Sequence, residues 1–201
     1  IGSFNNVEIM LDNNYRIARI NKPIQNVDTE PITFLRRVLV PVVFHTSAEV
    51  KIASGKLGQK HSVDVQVFSP TMQDYRIHLG VDITTEASAP VCAVADGSVK
   101  QIWEDPLMGW CIALSHAGNC TTVYKNLAKE MAEGLTVGKV VKQGELLGYV
   151  GESAMLELAQ EPHLHLEMTV GDLQVDPLEY FSAAVLATLT EDTAYEGTLG
   201  K

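Results

Sequence analysis

The feature that most restricts what this chain can become is a change of pattern near residue 75, after which short β-branched runs are cut repeatedly by glycine. Runs of this length with turn residues between them predict an antiparallel all-β domain rather than helices crossing a core. The expected strands are 91–95, 97–103, 110–115, 121–124, 146–150, 163–170 and 173–175. Asp96-Gly97, Ala117-Gly118-Asn119 and Gly171-Asp172 carry the turn chemistry that joins them. Helical pattern is confined to 153–160, which ends before Pro162, and to 178–189, with a frayed polar end beyond Thr190. Glu152, Glu157 and Glu161 read as a solvated helix face. Residues 1 to about 60 show no clear period and read as short strands and loops, and no internal repeat is present.

Charge narrows the function. Fifteen Lys and Arg against 25 Asp and Glu give a net charge of -10 over 201 residues, a field that repels phosphate backbones, so nucleic acid is not an expected partner. The strongest apolar stretch, residues 38–44, is much shorter than the roughly 18 residues a membrane-spanning helix needs. The chain starts with Ile1-Gly2, which is read as a trimmed end whose signal or anchor has been removed. Cys92, Cys111 and Cys120 lack the Cys-x-x-Cys spacing of a thiolate zinc site and are expected as small buried strand residues.

Three of the six histidines fall in two compact motifs, His78-Leu79-Gly80-Val81-Asp82 and His163-Leu164-His165. On a strand, His163 and His165 project from one face about 7 Å apart while Leu164 and Leu166 face the core. Four residues of extended strand would separate His78 from Asp82 by about 13 Å, so a shared ligand requires a bend, for which Gly80 is suited. Imidazoles with one carboxylate form a donor set that suits zinc, and three protein ligands make the open arrangement of a catalytic ion. Spacing alone leaves the alternative of ordinary hydrogen-bonded histidines equally open. His116 reads as a local hydrogen-bonding residue, and His45 and His61 as solvated.

The order of motifs resembles the LytM or lysostaphin-like zinc peptidases, which cleave peptide cross-bridges of bacterial peptidoglycan. The likeness rests on His78 and Asp82, on Ala89-Pro90-Val91 leading to Ala95-Asp96-Gly97, and on Gly109–His116. It continues through Tyr124-Lys125-Asn126-Leu127, the glycines 138, 144, 148 and 151, Pro162-His163-Leu164-His165 and the closing Asp176-Pro177-Leu178. The resemblance implies an antiparallel β-sandwich at residues 66–182, with a small irregular β-rich extension before it at 1–65 and a tail at 183–201 containing a short helix. It also implies zinc on His78, Asp82 and His165, with His163 as a catalytic histidine.

One position departs from the family pattern: Asn126 stands where Tyr-x-His-Leu carries a second catalytic histidine. Asparagine donates hydrogen bonds but does not take or return a proton near neutral pH. Lys125, a strand neighbour, points to the other face and is not expected to replace it. This departure, with Phe68-Ser69-Pro70-Thr71 and Tyr75-Arg76-Ile77-His78, is similar to the stage II sporulation protein Q group. That narrower resemblance implies an extracytoplasmic domain on an N-terminal membrane anchor, paired with a channel partner across the space between mother cell and forespore. Two functions follow as expectations: a zinc endopeptidase acting on peptidoglycan peptides, weakened at Asn126, or an inactive scaffold that binds the channel partner or peptidoglycan.

Overall fold

The computed structural model describes residues 8–11, 17–20, 55–187 and 189–191; the apolar stretch 38–44, His45 and most of the polar end beyond Thr190 lie outside them. The chain divides into two compact units, 1–38 and 39–201. In the first, β1 (Glu8–Leu11) pairs antiparallel with β2 (Ile17–Ile20), Glu8 opposite Ile20.

In the second unit β3 (Lys56–Leu57) precedes a hairpin, β4 (Ser62–Ser69) with β5 (Asp74–His78), and then β6 (Gly80–Thr84) and β7 (Pro90–Cys92). A meander follows: β8 (Gly97–Asp105), β9 (Gly109–His116) and β10 (Cys120–Met131). After it come β11 (Val140–Val141), β12 (Leu146–Val150), β13 (His163–Val170), β14 (Leu173–Val175) and β15 (Thr190–Glu191). The large sheet runs β11-β8-β9-β10-β13-β6-β3-β15, with β12, β7 and β14 joined to it as branches. Every pairing is antiparallel except β15 with β3.

Six of the seven strands expected from the sequence form at the expected length or longer, and the one expected at 91–95 is reduced to Pro90–Cys92. The β9–β10 turn falls at 117–119, where Gly118 and Asn119 take positive φ of 72° and 56°. Cys120 lies opposite His116, and Tyr124 opposite Ile112, so Cys111 and Cys120 do not face each other. All three cysteines are free, Cys111 and Cys120 buried. The core collects Val81, Ile83, Ile112, Leu114, Tyr124, Leu127, Leu147, Leu164 and Leu166, all fully buried. The Tyr124 hydroxyl accepts from the Val94 N–H at 2.9 Å, which satisfies a polar atom that burial would otherwise penalise.

Of the two helix expectations, the first fails and the second is met only in part. Residues 153–160 form successive turns, with three N–H groups drawn off to partners outside the segment and two closing i→i−3 turns within it. Ala154 donates to Asn126 Oδ1, Leu156 to the Leu107 carbonyl and Ala159 to Thr71 Oγ1, so no i→i−4 ladder develops. At 178–189 only a 3₁₀ turn, Pro177–Tyr180, and a single α turn, α1 (Ala183–Leu186), appear. Phe181, extended at φ -84° and ψ 144°, separates them.

Candidate metal centre

β6 and β13 are antiparallel neighbours with Asp82 opposite His165, so pairing alone sets a carboxylate beside an imidazole. His78 ends β5, and the chain turns at Leu79 before re-entering as β6, which supplies the bend the motif requires. Gly80 is needed there for a reason other than unusual dihedrals, since it is not among the positive-φ glycines. A Cβ at this position would lie 2.5 Å from the Leu166 carbonyl oxygen and 2.8 Å from His165 Nε2. The bare backbone therefore lets β6 close against β13 at the histidine.

The three side chains converge. His78 Nε2 is 3.2 Å from Asp82 Oδ1 and 3.3 Å from His165 Nδ1, and His165 Nδ1 is 2.8 Å from Asp82 Oδ1. A tetrahedral ion with bonds of about 2.0–2.1 Å holds its donors about 3.3 Å apart. Two of the three separations meet that value, and the third is a hydrogen-bond spacing that a cation would open by about half an ångström. The other nitrogen of each ring is fixed by a partner, as metal-binding histidines require. His78 Nδ1 donates to the Lys60 carbonyl at 2.9 Å, and His165 Nε2 donates to Glu167 Oε1 at 3.1 Å. Asp82 Oδ2 is buried with no hydrogen-bond partner, a desolvated acceptor that a bound cation would offset. The donor set thus fits a zinc-type ion on chemistry and on spacing.

The cluster carries strong mutual electrostatics. Burial alone would raise the Asp82 carboxyl, but hydrogen bonds and charge from His165 and His78 outweigh it and hold the acid well below its usual range. Burial would lower His165, yet its bonds to Asp82 and Glu167 carry it up to about 10. Lys125 Nζ meets Glu167 at 2.5 Å and so joins the same chain of charges from behind.

His163 lies on the same strand with its Nδ1 donating to the Glu161 carbonyl at 2.8 Å and its Nε2 3.0 Å from Glu157 Oε2. Burial works to lower it, but the Glu157 hydrogen bond and the Asp82 and Glu157 charges raise it above the ordinary value. Among the described residues, His78, Asp82, Glu157 and His165 each offer a donor atom, and these atoms lie within 4.8 Å of one another. Glu157 is buried rather than on a solvated helix face, which corrects the expectation from its acidic neighbours. The segment is not helical, and its turns drive this one side chain inward.

Asn126 is buried on a bulge of β10 at a positive φ of 59°. Its carboxamide joins two main-chain groups: Nδ2 donates to the His163 carbonyl at 3.0 Å, and Oδ1 accepts from Ala154 N–H at 3.2 Å. His116 bonds the Asp96 carbonyl and Thr122 Oγ1, and His61 bonds the Leu79 carbonyl, each away from the cluster. Arg76, which precedes His78 by two residues, pairs with Asp74. Neither Glu167 nor Glu157 was expected in the site from the sequence; the i+2 spacing of Glu167 from His165 on one strand face is a signal that could have found it, whereas no comparable pattern marks Glu157.

The family model described as peptidase family M23 matches residues 76–177. A protein of Haemophilus influenzae named an uncharacterized metalloprotease is 32% identical over 110 residues, 54% of this chain and 22% of that protein. A DD-carboxypeptidase/endopeptidase of Neisseria meningitidis is 31% identical over 110 residues, 54% of this chain and 24% of its own length. The chain therefore spans under a quarter of these two relatives. Stage II sporulation protein Q of Bacillus subtilis is 24% identical over 176 residues, 87% of this chain and 57% of that protein. Among solved structures, lysostaphin of Staphylococcus simulans shares the fold at a TM-score of 0.53 and 24% identity, covering 69% of this chain and 55% of that one. The SpoIIQ–SpoIIIAH pore-forming complex gives 0.50 and 19%, covering 81% and 98%.

Proposed function

The chain belongs to peptidase family M23, and from that premise we propose that it is a zinc endopeptidase domain acting outside the cytoplasm on the peptide cross-bridges of peptidoglycan. The single observation that carries this reading is the convergence of His78, Asp82 and His165 at donor separations of 2.8 to 3.3 Å. Zinc held there would supply Lewis-acid chemistry, polarising a peptide carbonyl and making water acidic enough to react near neutral pH. Residues 66–182 form the peptidase body in this reading, and an anchor N-terminal to Ile1 would tether it to a membrane.

The chain's own residues have separable roles. Lys60, through its carbonyl, and Glu167, braced by Lys125, orient the two imidazoles so that one nitrogen of each faces the shared volume. His163, with a proton held by Glu157 and Glu161, is the group able to donate to the oxygen that gains charge as a carbonyl is attacked. Asn126 gives no proton transfer, and its carboxamide is engaged by main chain, so turnover rests on one catalytic histidine.

That same engagement of Asn126 favours a second reading, a scaffold that keeps its metal and binds a sporulation channel partner or peptidoglycan without cutting it. The likeness to stage II sporulation protein Q over 176 residues supports it. Zinc content of the purified chain, measured with digestion of purified peptidoglycan, separates the two. Stoichiometric zinc with cleavage that is lost in His163→Ala supports the peptidase; zinc without cleavage supports the scaffold. A chain that takes up no zinc, or takes it up equally after His165→Ala, refutes the metal centre itself.

A further inference from the structure

Glu157 is the one member of the cluster that neither motif contains. It lies in the turns between β12 and β13, and its carboxylate spans two histidines: Oε2 is 3.0 Å from His163 Nε2 and Oε1 is 3.4 Å from His165 Nδ1. The second distance matches the roughly 3.3 Å expected between two donors on one tetrahedral ion. Charge gives an independent argument. Asp82 and Glu157 are buried at 1% and 9% exposure with donor oxygens within 4.8 Å; without an ion His165 and His163 face them as positive partners, and a divalent cation that took the His165 lone pair would need both carboxylates to balance it. Glu167 has Lys125 as its partner, whereas Asp82 Oδ2 has no hydrogen-bond partner, so the unmet acceptor belongs to the donor group that Glu157 completes.

We propose that Glu157 is a fourth protein ligand of the metal, so that in this state the centre is closed and the segment 151–162 must withdraw before a peptide can reach it. This rests on the reading of His78, Asp82 and His165 as ligands. A catalytic zinc site keeps one position for water or substrate, whereas four protein ligands make the closed arrangement of a structural site. The segment is built to be held in place. Asn126 fastens it to β13 through the His163 carbonyl and the Ala154 N–H, Leu107 takes the Leu156 N–H, and Thr71 in the β4–β5 turn takes the Ala159 N–H. Glu157 faces inward while Met155 and Leu158 beside it are 58% and 60% exposed, so the segment offers apolar surface outward and a carboxylate inward. In the expected family pattern a histidine occupies position 126; here that position secures the segment that carries the closing ligand.

The test uses the full chain loaded with zinc or cobalt. Competition against a chromophoric chelator should show zinc affinity falling about 10-fold or more in Glu157→Gln, and in the same direction in Glu157→Asp, whose shorter stem does not reach. Azide added to the cobalt-loaded wild type should leave the visible spectrum unchanged, while in Glu157→Gln it should shift the spectrum because a position has opened. Circular dichroism of each variant checks the fold, and the azide titration of wild type needs no variant at all. Equal zinc affinity in wild type and Glu157→Gln, or a wild-type cobalt spectrum that responds to azide, overturns the proposal while leaving the three-ligand centre intact. A wild type that binds neither metal overturns both.

Discussion

Truncating Asn126 to alanine should be among the most destabilising single substitutions in this chain. The side chain is 3% exposed and satisfies two buried main-chain groups, the His163 carbonyl at 3.0 Å and the Ala154 N–H at 3.2 Å. Leaving a buried polar group without its partner costs about 1–3 kcal/mol. The backbone adds to this, because φ at 126 is 59°, a left-handed conformation that asparagine tolerates and alanine resists by about 1 kcal/mol or more. Together these give a loss of about 3 kcal/mol or more for Asn126→Ala, which in a domain of this size lowers the melting temperature by about 6–12 °C. Asn126→Gly removes the same hydrogen bonds but accepts the positive φ, so it should lose about 1 kcal/mol less. Urea unfolding of the three proteins, with midpoints compared at a common slope, reads both quantities. If Asn126→Ala unfolds within 1 kcal/mol of wild type, or if glycine is no better than alanine, the carboxamide is not the fastening described above.

Glu167→Gln should lower zinc affinity about 10- to 100-fold without abolishing binding, because it weakens the partner that orients His165 rather than a ligand; chelator competition measures it. For the metal-free protein, Glu167 is held down at about 2 from an ordinary 4.5, and His165 is held up at about 10 from an ordinary 6.5. The Glu167 contribution to stability is present above about 4.5 and lost as pH falls towards about 2; that of His165 is present below about 6.5 and lost as pH rises towards about 10. Urea midpoints of the metal-free chain should therefore peak between these limits and fall on both sides, and a midpoint still rising from pH 7 to 10 would contradict it. Burial pushes the Cys111 and Cys120 thiols up to about 12, so a thiol reagent at pH 8 should modify both only on unfolding, with half-buried Cys92 reacting first.

The elements that were legible in the sequence are those whose information is local. His163-Leu164-His165-Leu166 alternates, and the strand it predicts is present, though β13 is buried on both faces because the 151–162 segment covers the imidazole side. Gly80 was read as supplying a bend; the turn exists, but the glycine is required by the approach of Leu166 and His165, a contact between segments 85 residues apart that no local pattern carries. The β4–β5 hairpin was not among the expected strands: Val63, Val65 and Val67 alternate with polar residues, but Val63 and Val65 are exposed, so the alternation marks no core face. Glu157 was misread for the same reason as the helix around it. Its environment is set by Asn126, Thr71 and Leu107, which come from three other parts of the chain.

Those long-range fastenings also decide how proton and metal share the centre. Without an ion, the lone pair His165 would offer from Nδ1 is tied up in a hydrogen bond to Asp82, and the carboxylates hold the ring protonated well above neutrality. A cation entering the volume must displace that proton, so uptake releases it to solvent and the apparent affinity weakens as pH falls. Two buried carboxylates on one divalent ion offset its charge, whereas withdrawal of Glu157 would leave one more positive charge in a poorly solvated place. If Glu157 binds, the closed state is therefore the electrostatically favoured one, and opening it requires something that supplies negative charge or a carbonyl dipole in exchange. A peptide substrate brings such a group, which makes withdrawal of the 151–162 segment an exchange of one oxygen ligand for another rather than the exposure of a bare cation.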